Sequence, residues 1–201
     1  MSEKHVIGAE IEIEVRDKNG RLLEHKKQES RSFLKQFLQM LYGEMNAENL
    51  SQNIISITTT GGGTSNYPSY TDTSKPFFRV TSPSGNDYYG ILVGESDEPV
   101  EYDDYNLKSK IPNGTGAGQL SYQECTLEEP YKDGTEYKFK ITRAFVNNSG
   151  ATITVKEVGI GAAWKQPSIV ALLIRDVLAS PTSIPDGATL TVRYYIKVSV
   201  P

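Results

Sequence analysis

The chain has 201 residues, which is enough for one substantial domain with a hydrophobic core. Hydrophobic residues make up 37% of it and the formal net charge is −4, so it lacks the basic excess that neutralises nucleic-acid phosphates, and nucleic-acid binding is not expected. Its single cysteine, Cys125, excludes an intramolecular disulfide.

The first predicted element is a β-hairpin. From residue 9 to residue 16, isoleucine and valine alternate with glutamate, which is the two-residue period of a half-buried strand. Asp17-Lys18-Asn19-Gly20 supplies a turn, and residues 21–28 are predicted to return as a second, charged strand. The preceding segment lacks the features of a secretion signal and no run of 18 apolar residues occurs, so neither export nor a membrane span is expected.

A single amphipathic helix is predicted near residues 32–45, where the apolar spacing changes to three and four residues. Its stripe consists of Phe33, Leu34, Phe37, Leu38, Leu41 and Met45. Because so short a helix is marginal alone in water, the stripe must pack on a sheet or on another subunit. Phe37 and Leu41 are therefore also candidate interface residues.

Short strands are predicted in the middle third, at residues 54–60, 77–81 and 88–93. Stretches rich in glycine, serine, proline and aspartate lie between them and predict long loops near residues 61–76 and 95–118.

Four tyrosines in these loops are candidate interface residues, because tyrosine combines a large contact area with few rotatable bonds. Tyr67 and Tyr70 lie in the first loop, and Tyr102 and Tyr105 lie in the second. For Tyr67 and Tyr70, a position folded back onto the domain is an equally good prediction.

The last third shows strict alternation of apolar and polar residues. Residues 137–145 and 153–155 flank the turn Asn147-Asn148-Ser149-Gly150, which predicts two adjacent antiparallel strands. The terminal segment holds one apolar face from Leu190 to Val200 and predicts a strand inside a larger sheet.

Many short strands, frequent turn signals and one helix predict a mainly β fold, an antiparallel β-sandwich or jelly roll. No internal repeat and no linker divides the chain, so residues 1–201 are expected to form a single domain.

No catalytic constellation is recognisable in the sequence. His5 and His25 lie in the charged hairpin, away from any nucleophile motif. Ser96 lies in Gly94-Glu95-Ser96-Asp97-Glu98, which lacks the second glycine of the hydrolase elbow. The expectation is a non-enzymatic protein without a cofactor; a glycosidase that uses two carboxylates of residues 95–104 is the catalytic alternative.

The acidic segment of residues 95–104 gives the only metal candidates, Asp97, Asp103 and Asp104, since calcium takes six to eight oxygen ligands. The segment does not match the calcium-loop motif, so no metal is expected. A solvated acidic loop, or a patch that faces a basic partner, is the preferred interpretation.

Several strings in the carboxyl-terminal half are made of turn residues and strand cores. They are Gly-Ile-Leu-Val-Gly from Gly90, Asp104-Tyr105-Asn106-Leu107, Gly116-Ala117-Gly118-Gln119-Leu120, Ile141 to Gly150, Ile153 to Gly159, Leu173 to Leu178, and Ile184-Pro185-Asp186-Gly187. With the helix string Ser32-Phe33-Leu34-Lys35-Gln36-Phe37-Leu38, they resemble virion structural proteins of tailed phages and related prokaryotic viruses. The similarity covers most of the chain.

The resemblance implies a virion protein that is made in the host cytoplasm and acts in particle assembly as a capsid decoration, vertex, neck or tail component. The expected function is an accessory or connector subunit, a homo-oligomer on a lattice of other virion proteins such as a major capsid or tail protein. The alternative is a glycan- or receptor-binding adhesion module of the virion. Its candidate contacts are Tyr67, Tyr70, Tyr88, Tyr89, Tyr102, Tyr105 and Trp164.

Overall fold

Antiparallel β-strands contain most of the residues that the computed structural model describes, which are residues 6–45, 55–67, 78–164 and 166–199. The elements in chain order are β1 (Val6–Arg16), β2 (Leu22–Ser30), α1 (Lys35–Met45), β3 (Ile55–Thr58), β4 (Thr64–Tyr67), β5 (Gly90–Gly94), β6 (Ser121–Leu127), β7 (Tyr131–Asp133), β8 (Glu136–Val146), β9 (Ile153–Trp164), β10 (Gln166–Ile184) and β11 (Thr189–Ser199).

The strands form two main sheets. A six-stranded sheet has the order β2-β1-β11-β8-β6, with β7 paired to β8, and a three-stranded sheet has the order β10-β9-β5. The inward-facing residues of both sheets belong to one hydrophobic cluster, which includes Ile13 of β1, Phe145 of β8 and Ile160 of β9. The predicted mainly β, antiparallel sandwich with a single short helix is confirmed.

The predicted amino-terminal hairpin is present. β1 pairs with β2 from Ala9 opposite Ser30 to Arg16 opposite Leu22, and β1 also pairs with β11 on its other side. Ile11, Ile13 and Val15 of β1 are buried and the glutamates between them lie on the outer face, as their period predicts, whereas Ile7 near the start of the strand is exposed.

The prediction that β8 and β9 are neighbours is wrong, because these consecutive strands lie in different sheets. Asn147 makes the corner between them. Its buried side-chain amide donates to the carbonyl oxygens of Ala151 at 2.8 Å and Ile184 at 2.7 Å. These hydrogen bonds turn the chain from one sheet to the other, so the segment is not a hairpin turn.

The helix begins three residues later than predicted, at Lys35, because the preceding residues pair with β10 instead. Phe33 forms a β-bridge with Ile174, and the amide of Leu34 donates to the carbonyl oxygen of Leu173 at 2.8 Å. The inward face of α1 consists of Gln36, Met40 and Gly43. The predicted stripe is therefore divided: Phe33 and Leu34 precede the helix, Phe37 is partly buried, and Leu38 and Leu41 are exposed.

The loop predicted at residues 61–76 contains a strand, since β4 pairs with β3 to form a small hairpin. The strand predicted at residues 77–81 is reduced to one β-bridge between Arg79 and Ala163. Residues 68–77 lie outside the described part of the chain.

Arg143 joins the two sheets through the core. It lies on β8 with no exposed surface. Its guanidinium donates to the carbonyl oxygens of Gln123 (2.9 Å), Tyr89 (3.0 Å), Ile91 (3.1 Å) and Asn86. Because Ile91 belongs to β5, one side chain of the larger sheet satisfies backbone acceptors at the edge of the smaller sheet.

Replacing Arg143 with Met should lower the free energy of unfolding by about 3 kcal/mol, because the four carbonyl groups would lose the charged guanidinium that donates to them. Urea denaturation measures this change. The control is Lys140→Met on the same strand, whose salt bridge to Glu128 lies at the surface; it should change stability by less than about 1 kcal/mol. Equal effects of the two substitutions would contradict the role given to Arg143.

Candidate docking surface

A buried ion-pair cluster holds the loop of residues 95–111 on the smaller sheet. Arg175 of β10 has no exposed surface, and its guanidinium lies 2.8 Å from the carboxylate of Glu157 of β9 and 2.9 Å from that of Asp104. The same guanidinium donates to the carbonyl oxygens of Glu98 at 3.0 Å and Pro99 at 3.2 Å. Three of these four partners belong to the loop, so the Arg175 side chain holds the loop at three of its residues.

Glu157 binds the second half of the loop. Its carboxylate accepts hydrogen bonds from the amide of Ser109 at 2.7 Å and the amide of Lys108 at 3.2 Å. Gly94 makes this approach possible, since a Cβ at that position would meet the Glu157 side chain and would lie 2.6 Å from the carbonyl oxygen of Ser109. The buried Glu157 carboxylate is therefore paired with the Arg175 guanidinium and also accepts hydrogen bonds from two backbone amides.

Asp104 is the loop's own contribution to the cluster. Its carboxylate also accepts from the Lys108 ammonium at 2.8 Å and from the Glu101 amide at 3.0 Å. Burial by itself raises the pKa of Asp104, but the hydrogen bonds from Lys108 and Glu101 and the charge of Arg175 outweigh it and lower the pKa below its usual value. Asp104 is thus held as the charged carboxylate.

The loop in turn contacts the start of α1. The amide of Lys35 donates to the carbonyl oxygen of Tyr102 at 3.0 Å, and the side-chain amide of Gln36 donates to the carbonyl oxygen of Asp104 at 3.1 Å. The Lys35 ammonium also lies 6.0 Å from the centroid of the Tyr102 ring. These contacts place the helix and the loop side by side on one face of the molecule.

Large apolar side chains are exposed on this face. Leu38 is 63% exposed, Leu41 37%, Tyr42 58% and Tyr102 74%. Leu38 lies within one helical turn of Leu41 and Tyr42, and it lies one turn from Lys35, which contacts Tyr102. We call these four residues the α1–loop surface, and it is the candidate functional site.

The six predicted interface residues have five different outcomes in the structure. Leu41 and Tyr102 lie in the α1–loop surface. Tyr105 is exposed elsewhere, beside Gly62 of the β3–β4 turn, where an added Cβ would lie 3.6 Å from the tyrosine ring. Phe37 is partly buried and packs against the rings of Phe33 and Phe78, so it is not available as an exposed contact residue. Tyr70 lies outside the described residues.

The prediction that Tyr67 is an exposed contact residue is wrong, because its side chain is fully buried. Its ring packs edge-on against Trp164, with centroids 5.6 Å apart, and its hydroxyl donates to Glu44. Of the two positions predicted for Tyr67, the one folded back onto the core is confirmed.

The metal candidates do not converge on a common site. Asp97 is exposed and forms an ion pair with Lys156 at 3.0 Å. Asp104 forms ion pairs with Arg175 and Lys108, and Asp103 is exposed. Within residues 6–45, 55–67, 78–164 and 166–199, no three His, Cys, Asp or Glu side chains are grouped so as to hold a metal ion. Cys125 is buried, and burial raises the pKa of its thiol.

Sequence reasoning missed Arg175 and Glu157, the two residues on which the loop depends. One signal was present: Glu157 lies between Val155 and Gly159 in the two-residue period of its strand, where apolar or small residues are expected, and all three are buried. A charge in such a position requires a buried partner.

Comparisons with protein-family models, with curated protein sequences and with solved structures find no match for the chain. In the part of the chain that the structure describes, no helix has the length and apolarity needed to cross a lipid bilayer.

Replacing Arg175 with Met should lower the free energy of unfolding by about 3–5 kcal/mol, because the Glu157 carboxylate would stay buried without its cation. Adding Glu157→Gln to that variant should recover part of the loss. The control is Arg193→Met, whose ion pairs are longer and partly exposed; it should change stability by less than about 1 kcal/mol in the same urea titration. A loss below 1 kcal/mol for Arg175→Met would contradict the cluster's role.

Replacing Asp104 with Asn should destabilise the protein in a pH-dependent way. A carboxylate whose pKa is lowered on folding contributes stability above its unfolded pKa of about 4, and this contribution is lost as pH falls through the folded value. The difference in unfolding free energy between wild type and Asp104→Asn should therefore be about 1–3 kcal/mol at pH 7 and should shrink below pH about 4.

The matched control for this titration is Asp103→Asn, which changes an exposed neighbour. It should leave stability within about 0.5 kcal/mol at every pH. Stability of Asp104→Asn that runs parallel to wild type over the whole pH range would show that the carboxylate charge is not what holds the loop.

Proposed function

We propose that this chain is a non-enzymatic virion structural protein, an accessory or connector subunit that assembles on a capsid or tail lattice through the α1–loop surface. The observation that carries the proposal is the exposed group formed by Leu38, Leu41, Tyr42 and Tyr102. Exposed apolar side chains that cluster are typical of protein–protein contact sites. The resemblance to virion structural proteins favours a virus particle as the place of that contact.

The composition of the surface suits a contact with another protein. Two leucines and two tyrosines give it an apolar and aromatic centre, and tyrosine is enriched at interfaces. Exposed Glu44 and Asp103 lie next to it in sequence. Acidic neighbours of this kind favour a partner, such as a major capsid or tail protein, that carries basic residues near an apolar contact.

The ion-pair cluster supports this role by fixing the loop before any partner binds. Arg175 and Glu157 hold both halves of residues 95–111, and the backbone of Tyr102 is hydrogen-bonded to α1. A surface that is already ordered loses less conformational entropy on association. Copies of the chain repeated by symmetry would present it as a regular array.

A second candidate function, glycan or receptor binding, is favoured by a pocket of about 250 Å³ beside β5. It is lined by Thr60, Gly61, Tyr88, Leu92, Asn106 and Lys110. An aromatic ring next to amide, hydroxyl and ammonium groups is a suitable lining for a sugar. Binding on a glycan array that is lost on Tyr88→Ala and kept on Tyr137→Ala would favour this function over assembly.

The paired substitution Leu38→Ser and Leu41→Ser should reduce incorporation into virus particles by about tenfold or more, which corresponds to about 1.4 kcal/mol of binding free energy. The melting temperature should stay close to that of wild type. The control pair is Leu22→Ser and Leu23→Ser on β2, two leucines that are also exposed. If both pairs incorporate equally, the α1–loop surface is not the contact.

Mass spectrometry of purified particles tests the proposed function itself. Particles of the virus that encodes the chain should contain it in a fixed ratio to the major capsid or tail protein. Its absence from those particles would contradict the proposal.

A further inference from the structure

An apolar cavity of about 220 Å³ lies between the two sheets beside the start of α1. It is lined by Phe33, Phe37, Phe78, Val80, Leu127, Phe139, Ile141, Ile160, Leu173, Ile174 and Ile196. All of these side chains are apolar. They come from β6, β8 and β11 of the larger sheet, from β9 and β10 of the smaller sheet, from Phe33 and Phe37 at the start of α1, and from Phe78 and Val80 in the segment before β5.

The cavity has a closed floor and an accessible mouth. Ile141, Ile160 and Ile174 are almost completely buried, whereas Leu127 is half-exposed and Phe139 and Ile196 are partly exposed. A small molecule can therefore reach the floor from the side of Leu127.

Water is a poor occupant of the floor of this cavity, because a buried water needs two to four polar partners and none of the lining side chains supplies one. An empty cavity leaves its lining atoms without dispersion contacts on one side. Enclosed apolar cavities of about 150 Å³ accept benzene, so the volume of this cavity, which opens beside Leu127, is sufficient for a six-membered ring.

A strained residue lies beside the cavity. Phe78 has φ +60°, and it is the one non-glycine residue with positive φ among those the structure describes. Its ring lies edge-on to Phe37, with centroids 6.3 Å apart. A bulky residue in the left-handed region is held there only by its surroundings, and such strain concentrates at ligand sites.

We propose that this cavity is a binding site for a small neutral apolar molecule, an aromatic ring or a cyclic alkane of about six carbon atoms. Recognition rests on shape and dispersion contacts. A hydroxyl group on the ligand would find no partner at the floor of the cavity and could be hydrated only at the mouth, so phenol should bind more weakly than benzene.

Thermal unfolding of the full chain at increasing benzene concentration tests the proposal, since a ligand that binds only the folded state raises the melting temperature. Wild type should show a concentration-dependent rise with benzene and a smaller rise with phenol at the same concentration. Ile196→Phe places a larger side chain in the cavity and should remove most of the rise. Val198→Phe, at an exposed position on the same strand, should keep it.

Ile160→Phe provides a second cavity-filling variant if Ile196→Phe does not fold, which its own melting curve shows. The proposal is overturned if benzene leaves the wild-type melting temperature unchanged. It is also overturned if phenol matches benzene, or if the folded cavity-filling variant responds as strongly as wild type, because the effect would then arise elsewhere on the molecule.

Discussion

The ion-pair cluster of Arg175, Glu157 and Asp104 is the interaction on which the exposed face of this protein depends. A buried ion pair of this kind adds little net stability over a well-packed apolar group, but loss of one member leaves an uncompensated charge. We infer that its value lies in specificity, since the observed arrangement of residues 95–111 gives the Arg175 guanidinium and the Glu157 and Asp104 carboxylates their partners at the same time. The cluster gives a long loop without regular strands a defined structure.

Three consecutive residues of β10 connect the separate features of the molecule. The carbonyl oxygen of Leu173 accepts from Leu34 and so sets where α1 begins, Ile174 lines the apolar cavity, and Arg175 holds the loop. Because one strand supports all three, the helix, the cavity and the loop have fixed relative positions. The α1–loop surface follows from that arrangement, since its leucines come from the helix and Tyr102 comes from the loop.

Local patterns in the sequence predict much of this fold, and contacts distant in sequence account for what they miss. Alternation is a property of a single strand, so β1, β2 and β11 were predictable. The start of α1 was not predictable, because Leu34 is hydrogen-bonded to Leu173 of β10. The sheet to which β9 belongs was not predictable either, because the corner before it depends on a hydrogen bond from Asn147 to Ile184, 37 residues away. At the site, Leu41 and Tyr102 were predictable as candidates from residue type, whereas Arg175 binds partners 18 and 71 residues away.

Native-state hydrogen exchange on the unmodified chain tests most directly whether the cluster orders the loop. The amides of Lys108 and Ser109, which donate to Glu157, and the amide of Lys35, which donates to Tyr102, should exchange as slowly as the paired amides of β9 and β10. Their exchange should then require global unfolding. Rapid exchange at these three amides, while β9 and β10 remain protected, would show that the loop opens independently and would contradict the account.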